Sequence, residues 1–441
     1  MNQLTNHEKI NTYINEVCSQ IKARELHAEI RLELESHLQD ILDDYAAQGM
    51  NEEDAIQKAL EQMGNSTTVG QQLHQVHKPK TEWSIVAAIL IFVALGLLAM
   101  LSLDSANLSV SLSQVHFFEH KAFYTGSGLI LMIGLYFLDY RKFVKLSWPI
   151  STLAVTLMLA VIFYGAQLNG QQKWLGFGAF YFDITMVSTI LLIIAFAAMM
   201  SNKLDTIKGF GTLFLFLTIP ALLFFTAHTS IPLALYYFTI ILMVTFGQRS
   251  WKVTSFTLVY PALMLALVLL ANVDQREFTL YRLKAFFTPS MASQDARYAT
   301  EHSMQAIQSA GWWGQGLHAE PLELASLHNE LILSYLVYSF GWMFGITLVL
   351  LSFYFLRRIS LMLKQLADPF AKRLVLGLLG ILTVHFMWNI LMTIGLMPMT
   401  SVTLPFVSYS GTNYVLELGI VGLLLSVYRR KNMIPRQVTA G

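Results

Sequence analysis

The chain has 441 residues, 55% of them hydrophobic and 13% charged, far from the roughly 25% charged residues of an ordinary soluble domain. Its formal net charge of +1 is unevenly divided: residues 1–80 hold 13 acidic and 7 basic side chains, a net of −6, and the remainder 15 and 22, a net of +7. That balance excludes nucleic-acid binding argued from charge, and the single cysteine, Cys18, excludes an internal disulfide and a multi-cysteine metal site.

Residues 1–80 read as a small helical domain. Leu26, Ile30, Leu34, Leu38 and Leu42 recur at four-residue steps on one helical face, while Glu29, Glu33, Glu35, Asp40, Asp43 and Asp44 decorate the others. Gly49 is placed to end that helix, and Asn51 with Glu52-Glu53-Asp54 starts the next with acids at its positive end. Gly64 and Asn65 repeat the stop and start. Three or four such helices make a modest core and no catalytic cleft. Cys18 is expected to be a buried, inert thiol, and His74 and His77, with no acid or cysteine nearby, to be solvated. The beginning of the chain has no short apolar run behind a basic one, so no cleavable leader is expected and the first span itself directs the chain to the membrane.

Ten apolar stretches follow, near 83–103, 121–139, 147–168, 183–200, 209–226, 230–247, 252–272, 328–356, 373–396 and 409–428. Each approaches the length of about 20 residues that crosses the hydrocarbon core as a helix. The expected fold is therefore all-α: a polytopic membrane protein of about ten transmembrane helices over residues 81–436, behind a small cytosolic helical domain over 1–80. Lys and Arg favour the cytoplasmic side. With the N-terminal domain inside, the inner loops hold 16 basic residues, among them Arg141, Lys142, Lys145, Arg357, Arg358, Arg429, Arg430 and Lys431, against 6 in the outer segments. Both termini are expected in the cytoplasm, which leaves one long outer loop, 273–327. It contains Arg282, Lys284, Asp295, Arg297, Glu301, His302, Glu320 and Glu323, with His328 and Glu330 at its exit. A loop this long is a place to seek function; for each residue singly, the alternative is a charge that keeps the loop wet.

From Asn389 to Thr412, Pro398 and Pro405 break the ninth span from the tenth, and a polar run follows at membrane depth. Irregular backbone there is tolerated only inside protein or beside water. Asn389, Met392, Gly395, Pro398, Thr400, Leu404-Pro405-Phe406, Ser408-Tyr409 and Gly411 keep register, without a gap, with N-x-G-M-V-x-G-x-x-P-V-T-G-x-x-L-P-F-x-S-Y-G-G. This segment resembles the signature of the SEDS family (shape, elongation, division and sporulation), typified by FtsW, RodA and SpoVE. Asp139-Tyr140-Arg141, the run from Gly170 to Gly176, and the loop residues Arg282, Phe286, Pro289, Tyr298, Ser303, Ser309, Gly311 and Gly314-Gln315-Gly316-Leu317 are similar to further segments of that family. The resemblance runs from about residue 85 to 430. Residues 5–78 resemble the small helical prefix found ahead of some Firmicute permeases and cell-cycle membrane proteins.

The resemblance implies a bacterial cell-membrane enzyme that builds peptidoglycan strands from Lipid II, an undecaprenyl-pyrophosphate-linked disaccharide, beside a class B penicillin-binding protein. A carboxylate would accept the proton of the attacking sugar hydroxyl. Lys173, Arg282 and Lys284 would hold the pyrophosphate, with snorkelling anchors as the alternative, and His328 and Glu330 would line the substrate site. No cofactor is implied; a divalent cation, if one assists, would be held loosely by outer carboxylates and pyrophosphate. The departures are as informative. The family's catalytic Asp falls on Ala292, leaving Asp295, three positions on, as the candidate base, with Glu301, Glu330 or no base at all as alternatives. The family's acidic pair ahead of Gly341 is Tyr338-Ser339, and its Glu after the Trp174 segment is lost at Asp183-Ile184-Thr185-Met186. Three functions stay open: a divergent glycosyltransferase, a flippase for lipid-linked precursors drawing on Asp183, His228 and His385, or a non-catalytic division or sporulation scaffold.

Overall fold

A computed structural model describes residues 7–22, 27–76, 80–105, 116–168, 171–177, 180–200, 206–247, 250–271, 276–277, 280, 284, 286–288, 294–317 and 328–431. The chain divides into two compact units, Met1–Thr81 with Arg429–Gly441, and Glu82–Tyr428.

The first unit contains α1 (Glu8–Ser19), α2 (His27–Ala47), α3 (Glu52–Met63) and α4 (Ser66–Val76). Ile10, Ile14, Val17, Ile30, Leu38 and Ile56 form its core. Gly49 and Gly64 stand at φ +76° and +85°, the left-handed conformation that ends a helix without a Cβ clash. Asn65 opens α4 by accepting the Thr67 amide at 2.9 Å, whereas Asn51 precedes α3 without a side-chain cap. Cys18 is buried; burial pushes its thiol up, and Arg31 opposes that shift only in part.

The second unit is a multi-pass helical bundle. Its helices are α5 (Trp83–Ser105), α6 (Phe117–Phe137), α7 (Lys142–Lys145), α8 (Ser147–Tyr164), α9 (Ile184–Met199), α10 (Ile207–Thr226), α11 (Ser230–Gly247), α12 (Trp251–Ala271), α13 (Gln294–Ser309), α14 (Ile332–Leu363), α15 (Pro369–Thr393) and α16 (Thr412–Arg429). Each of the ten expected spans overlaps a helix, and among the described residues five of these, α5, α8, α10, α14 and α15, are long and apolar enough to cross a bilayer by that measure alone. Trp83, Trp148 and Trp251, each in the first turn of its helix, remain exposed, as suits aromatic anchors at a lipid–water boundary. Helices α6 and α16 are less apolar because they carry His120 and Lys121, and Asn413 and Glu417.

Two expectations need correcting. The third span, placed over 147–168, ends at Tyr164, and the chain then forms β1 (Ala166–Leu168), β2 (Gln171–Phe177) and β3 (Phe180–Asp183), an antiparallel sheet in that order. The bundle is thus mostly rather than wholly helical. Gly165 ends the helix, the glutamines are too polar for the bilayer interior, and Trp174, Tyr181 and Phe182 favour an extended pleat. Trp174 pairs with Asp183 and Leu175 with Phe182, and the Gln172 amide ties the sheet to the Ala227 carbonyl at 3.1 Å. In the long outer loop expected over 273–327, Gln294–Ser309 forms α13, so Asp295 sits on a helix.

Helix α14 runs across Gly341, whose φ of +87° is non-helical. A Cβ there would lie 2.2 Å from the Trp312 carbonyl oxygen, and one on Gly314 would lie 2.3 Å from that of Ser339. Gln315 and Gly316 donate to the carbonyls of Tyr338 and Ser339, both at 2.9 Å. The two glycines let the strand of chain after α13 lie directly against the kink. Gly341→Ala is therefore expected to destabilise the protein by about 1–3 kcal/mol or more, read as a lowered thermal midpoint in detergent. Gly126→Ala, where nothing lies within 4 Å of the new Cβ, is the control and leaves the midpoint unchanged.

Candidate functional site

The polar segment between α15 and α16 turns on Phe406. Its ring enters an aromatic cage of Phe92 from α5, Phe355 from α14 and Phe386 from α15, with centroids 5.6–6.1 Å away. Seating the ring there forces the backbone to φ +65°, strained for a residue with a Cβ. Two buried charges hold that peptide from opposite ends. Glu417 of α16 accepts the Phe406 amide at 2.9 Å, and the Lys121 ammonium of α6 donates to the Ser408 carbonyl at 2.6 Å and, more weakly, to that of Phe406 at 3.4 Å. Lys121 also lies over the Tyr414 ring, 3.4 Å from its centroid, and Thr125 bonds the Tyr414 hydroxyl at 3.0 Å. Both charges are buried, with relative exposures of 1% for Lys121 and 0% for Glu417. A buried charge without a partner is costly, so each supports the other. Gly96 of α5 leaves the space this requires, since a Cβ there would meet the Phe406 oxygen at 2.7 Å.

This loop in turn fixes the residues ahead of α14. Tyr409 donates its amide to the His328 carbonyl at 2.8 Å, and the Ser408 hydroxyl donates to that of Asn329 at 2.8 Å. Asn389 reaches from α15 with its amide nitrogen to the carbonyls of Glu330 and Val402, both at 2.9 Å. The His328 ring packs on Phe117 at 5.0 Å and on Tyr409 at 5.9 Å, and the Tyr409 hydroxyl meets His120 Nδ1 at 3.2 Å. Burial lowers the His328 pKa, which favours a neutral imidazole. Asp104 caps α6 by accepting the amides of Phe117 and Phe118 at 2.9 and 2.8 Å. One carboxylate oxygen of Glu330 is buried without a hydrogen-bond partner. His328, Glu330, His120 and Tyr409 thus gather at one end of the bundle on a rigid backing.

The remaining expected site residues fall in several places. Gly395, at φ +75°, closes α15, and the Thr400 amide rests on the Met392 sulfur at 3.2 Å. Pro398, Pro405 and Gly411, at φ +54°, shape the loop. Lys173 lies on β2 with its ammonium over Trp174, 4.4 Å from the ring centroid. Lys284 is exposed. Asp295 occupies the first turn of α13, but its side chain, with Arg282 and Ala292, lies outside the described residues. Ser303 of α13 bonds Ser334 at 2.6 Å and the Thr393 carbonyl at 3.1 Å, anchoring that helix to α14 and α15. Asp183 caps α9, accepting from Thr185 at 2.7 Å and the Met186 amide at 3.1 Å. Sequence reasoning passes over Lys121 and Glu417, although a charge inside an apolar span is itself a signal. Among the described residues, no cluster of three or more His, Cys, Asp or Glu is arranged to hold a metal ion.

Comparison with known proteins agrees with this architecture. Residues 82–433 match the profile of the cell cycle protein family FtsW/RodA/SpoVE. A relative from Geobacter sulfurreducens, named "Probable peptidoglycan glycosyltransferase FtsW", is 26% identical over 366 residues, which cover 79% of this chain and 95% of the relative. One of the same name from Nitrosomonas europaea is 24% identical over 370 residues, covering 80% and 94%. Among solved structures, a chain from a peptidoglycan synthase complex that coordinates polymerization and crosslinking aligns with a TM-score of 0.65 at 22% identity, over 80% of this chain and 98% of that one. Rod shape determining protein RodA of Thermus thermophilus aligns with a TM-score of 0.59 at 20% identity, over 80% and 97%.

The clamp on Phe406 predicts non-additive mutants. Lys121→Met and Glu417→Gln each leave a buried polar partner unmatched and should cost about 3–5 kcal/mol. The double variant should lose clearly less than the sum of the two. Thermal midpoints of the four proteins in one detergent measure this cycle, and strict additivity would exclude coupling through the loop.

Proposed function

Since the chain belongs to the FtsW/RodA/SpoVE family of cell cycle proteins, we propose that it is a divergent peptidoglycan glycosyltransferase that polymerises Lipid II on the outer face of the cell membrane. The observation that carries this reading is the rigid junction of the signature loop with the His328–Glu330 turn, where Tyr409, Ser408 and Asn389 fix three consecutive backbone carbonyls. Such a backing presents polar side chains at the edge of a bilayer in one geometry, as transfer between two lipid-anchored sugars requires. The orientation, with both termini and the N-terminal domain in the cytoplasm, rests on the distribution of Lys and Arg.

In the reaction, an acceptor sugar hydroxyl attacks the anomeric carbon of the donor. A new carbon–oxygen bond forms, the bond to the pyrophosphate breaks, and the hydroxyl proton passes to a carboxylate. Asp295 is that carboxylate in this proposal, carried on α13, which Ser303 ties to the bundle. Lys173, Arg282 and Lys284 neutralise the departing pyrophosphate. His328 and Glu330 bind substrate groups, the imidazole in its neutral form and Glu330 through its unpartnered oxygen. A single-span class B penicillin-binding protein is the proposed partner, in keeping with the likeness to a chain of a peptidoglycan synthase complex.

Ala292, at the register of the family's catalytic Asp, supports a second reading, a non-catalytic scaffold for division or sporulation. The flippase reading draws less support: Asp183, one of its few polar residues, is engaged as the cap of α9 and by Asn413 at 3.3 Å.

The test is polymerisation of Lipid II by the full chain, purified alone and with its cognate transpeptidase, followed on gels that resolve glycan strands. The expected result is strand synthesis that falls by at least about 100-fold in Asp295→Ala. Synthesis unchanged by that substitution removes Asp295 from the chemistry, and no strands under any condition favours the scaffold.

A further inference from the structure

Helices α10 and α12 begin at the same end of the bundle, and a cavity of about 610 Å³ opens between their first turns. Farther along the two helices close on each other. The ring centroids of Phe210 and Phe256 lie 4.6 Å apart and those of Phe214 and Tyr260 5.5 Å, and the Thr218 and Tyr260 hydroxyls meet at 2.8 Å. The cavity is thus the mouth of a crevice that the Phe210–Phe256 pair closes. Its rim is apolar and open, with Ile207 exposed at 93% and Trp251 at 74%. In water alone such a rim would be costly; at the boundary of a bilayer it is a place for hydrocarbon.

The same two turns carry positive charge. Lys208 and Lys252 are both exposed, and Lys252 lines the cavity. Among the described residues no carboxylate pairs with either ammonium. The positive ends of two helix dipoles point the same way and add to that charge. A soluble anion would satisfy the lysines and leave Ile207 and Trp251 uncovered, whereas a neutral hydrocarbon would cover the rim and leave the charges unanswered. An anionic amphiphile does both. Past the cavity, Phe214 and Leu222 on α10 and Val259 and Leu263 on α12 stay exposed, so an apolar path continues along both helices from the charged end. The cavity has the size of a small-molecule site, enough for a head group and the first carbons of its chains.

We infer that this cavity binds an anionic phospholipid, its phosphate between Lys208 and Lys252 and its acyl chains along α10 and α12. These helices carry none of the residues assigned to glycosyl transfer, so the site stands or falls independently of that reading. A lipid held there ties the first turns of two helices to the membrane surface. One of them, α12, leads past Ala271 into the segment that contains Arg282 and Asp295.

The test uses the full chain in nanodiscs of phosphatidylcholine that contain a small share of phosphatidylglycerol with a diazirine at the start of one acyl chain. Matched discs carry phosphatidylcholine with the same diazirine. After illumination, mass spectrometry should find the anionic probe on the peptides containing Ile207–Phe210 and Ser250–Val253, at least about fivefold above the zwitterionic probe. Lys208→Gln and Lys252→Gln should each cut the anionic label about fivefold, while Lys208→Arg and Lys252→Arg should retain it. Lys142→Gln, which alters an exposed lysine on α7 that does not line the cavity, should leave it unchanged. Matching elution and thermal midpoints qualify each variant as folded; if none qualifies, the two probes on the unaltered protein decide. Equal labelling by both probes would mark an annular lipid and overturn the proposal. So would anionic label that is indifferent to both glutamines, or that falls as far with Lys142→Gln. Displacement of the probe by millimolar inorganic phosphate would mark a site for a soluble anion and overturn it as well.

Discussion

The site depends on one arrangement: the peptide of Phe406, strained by seating its ring among Phe92, Phe355 and Phe386, is held by an anion at its amide and a cation at the neighbouring carbonyls. Neither buried charge would survive in the middle of an apolar bundle by itself. The loop supplies the dipoles that make Lys121 and Glu417 tolerable, and they supply the force that keeps the loop in a conformation the backbone disfavours. Because Ser408 and Tyr409 belong to the same loop, the order imposed at Phe406 passes directly to the backbone of His328 and Asn329. A polar loop is thereby built on an aromatic cage inside the bundle.

Glycine does the complementary work. Gly96 lets α5 approach the Phe406 carbonyl, Gly314 and Gly341 let the chain after α13 lie against the kink of α14, and Gly128 and Gly422 bring α6 and α16 together. In lipid there is little hydrophobic gain from pressing helices together, so close backbone approach and satisfied polar contacts carry more of the packing.

Much of this was legible in the sequence. The ten spans follow from apolar length, and Gly49 and Gly64 mark helix ends because each needs a left-handed φ. The signature from Asn389 to Gly411 marks the segment that fixes the backbone of His328, Asn329 and Glu330. What was not legible has physical causes. The sheet over 166–183 mixes glutamines with aromatics and carries no helical period. The strain at Phe406 arises from tertiary packing, which no local propensity records. Lys121 and Glu417 lie on distant spans, and that their charges converge on one loop follows only from the fold. Asp183, read as a candidate for a polar path, proves to be a helix cap. The start of α13 just before Asp295 places that residue on a helix rather than in an irregular loop.

The central claim is that the buried pair orders the signature loop. Hydrogen–deuterium exchange of the Leu404–Gly411 amides, compared between the unaltered protein and Lys121→Met in the same nanodiscs, addresses it most directly. The account predicts strong protection of the Phe406 and Tyr409 amides that is lost in the variant while the helical amides of α14 and α15 keep theirs. Protection that is undiminished without the ammonium would contradict it.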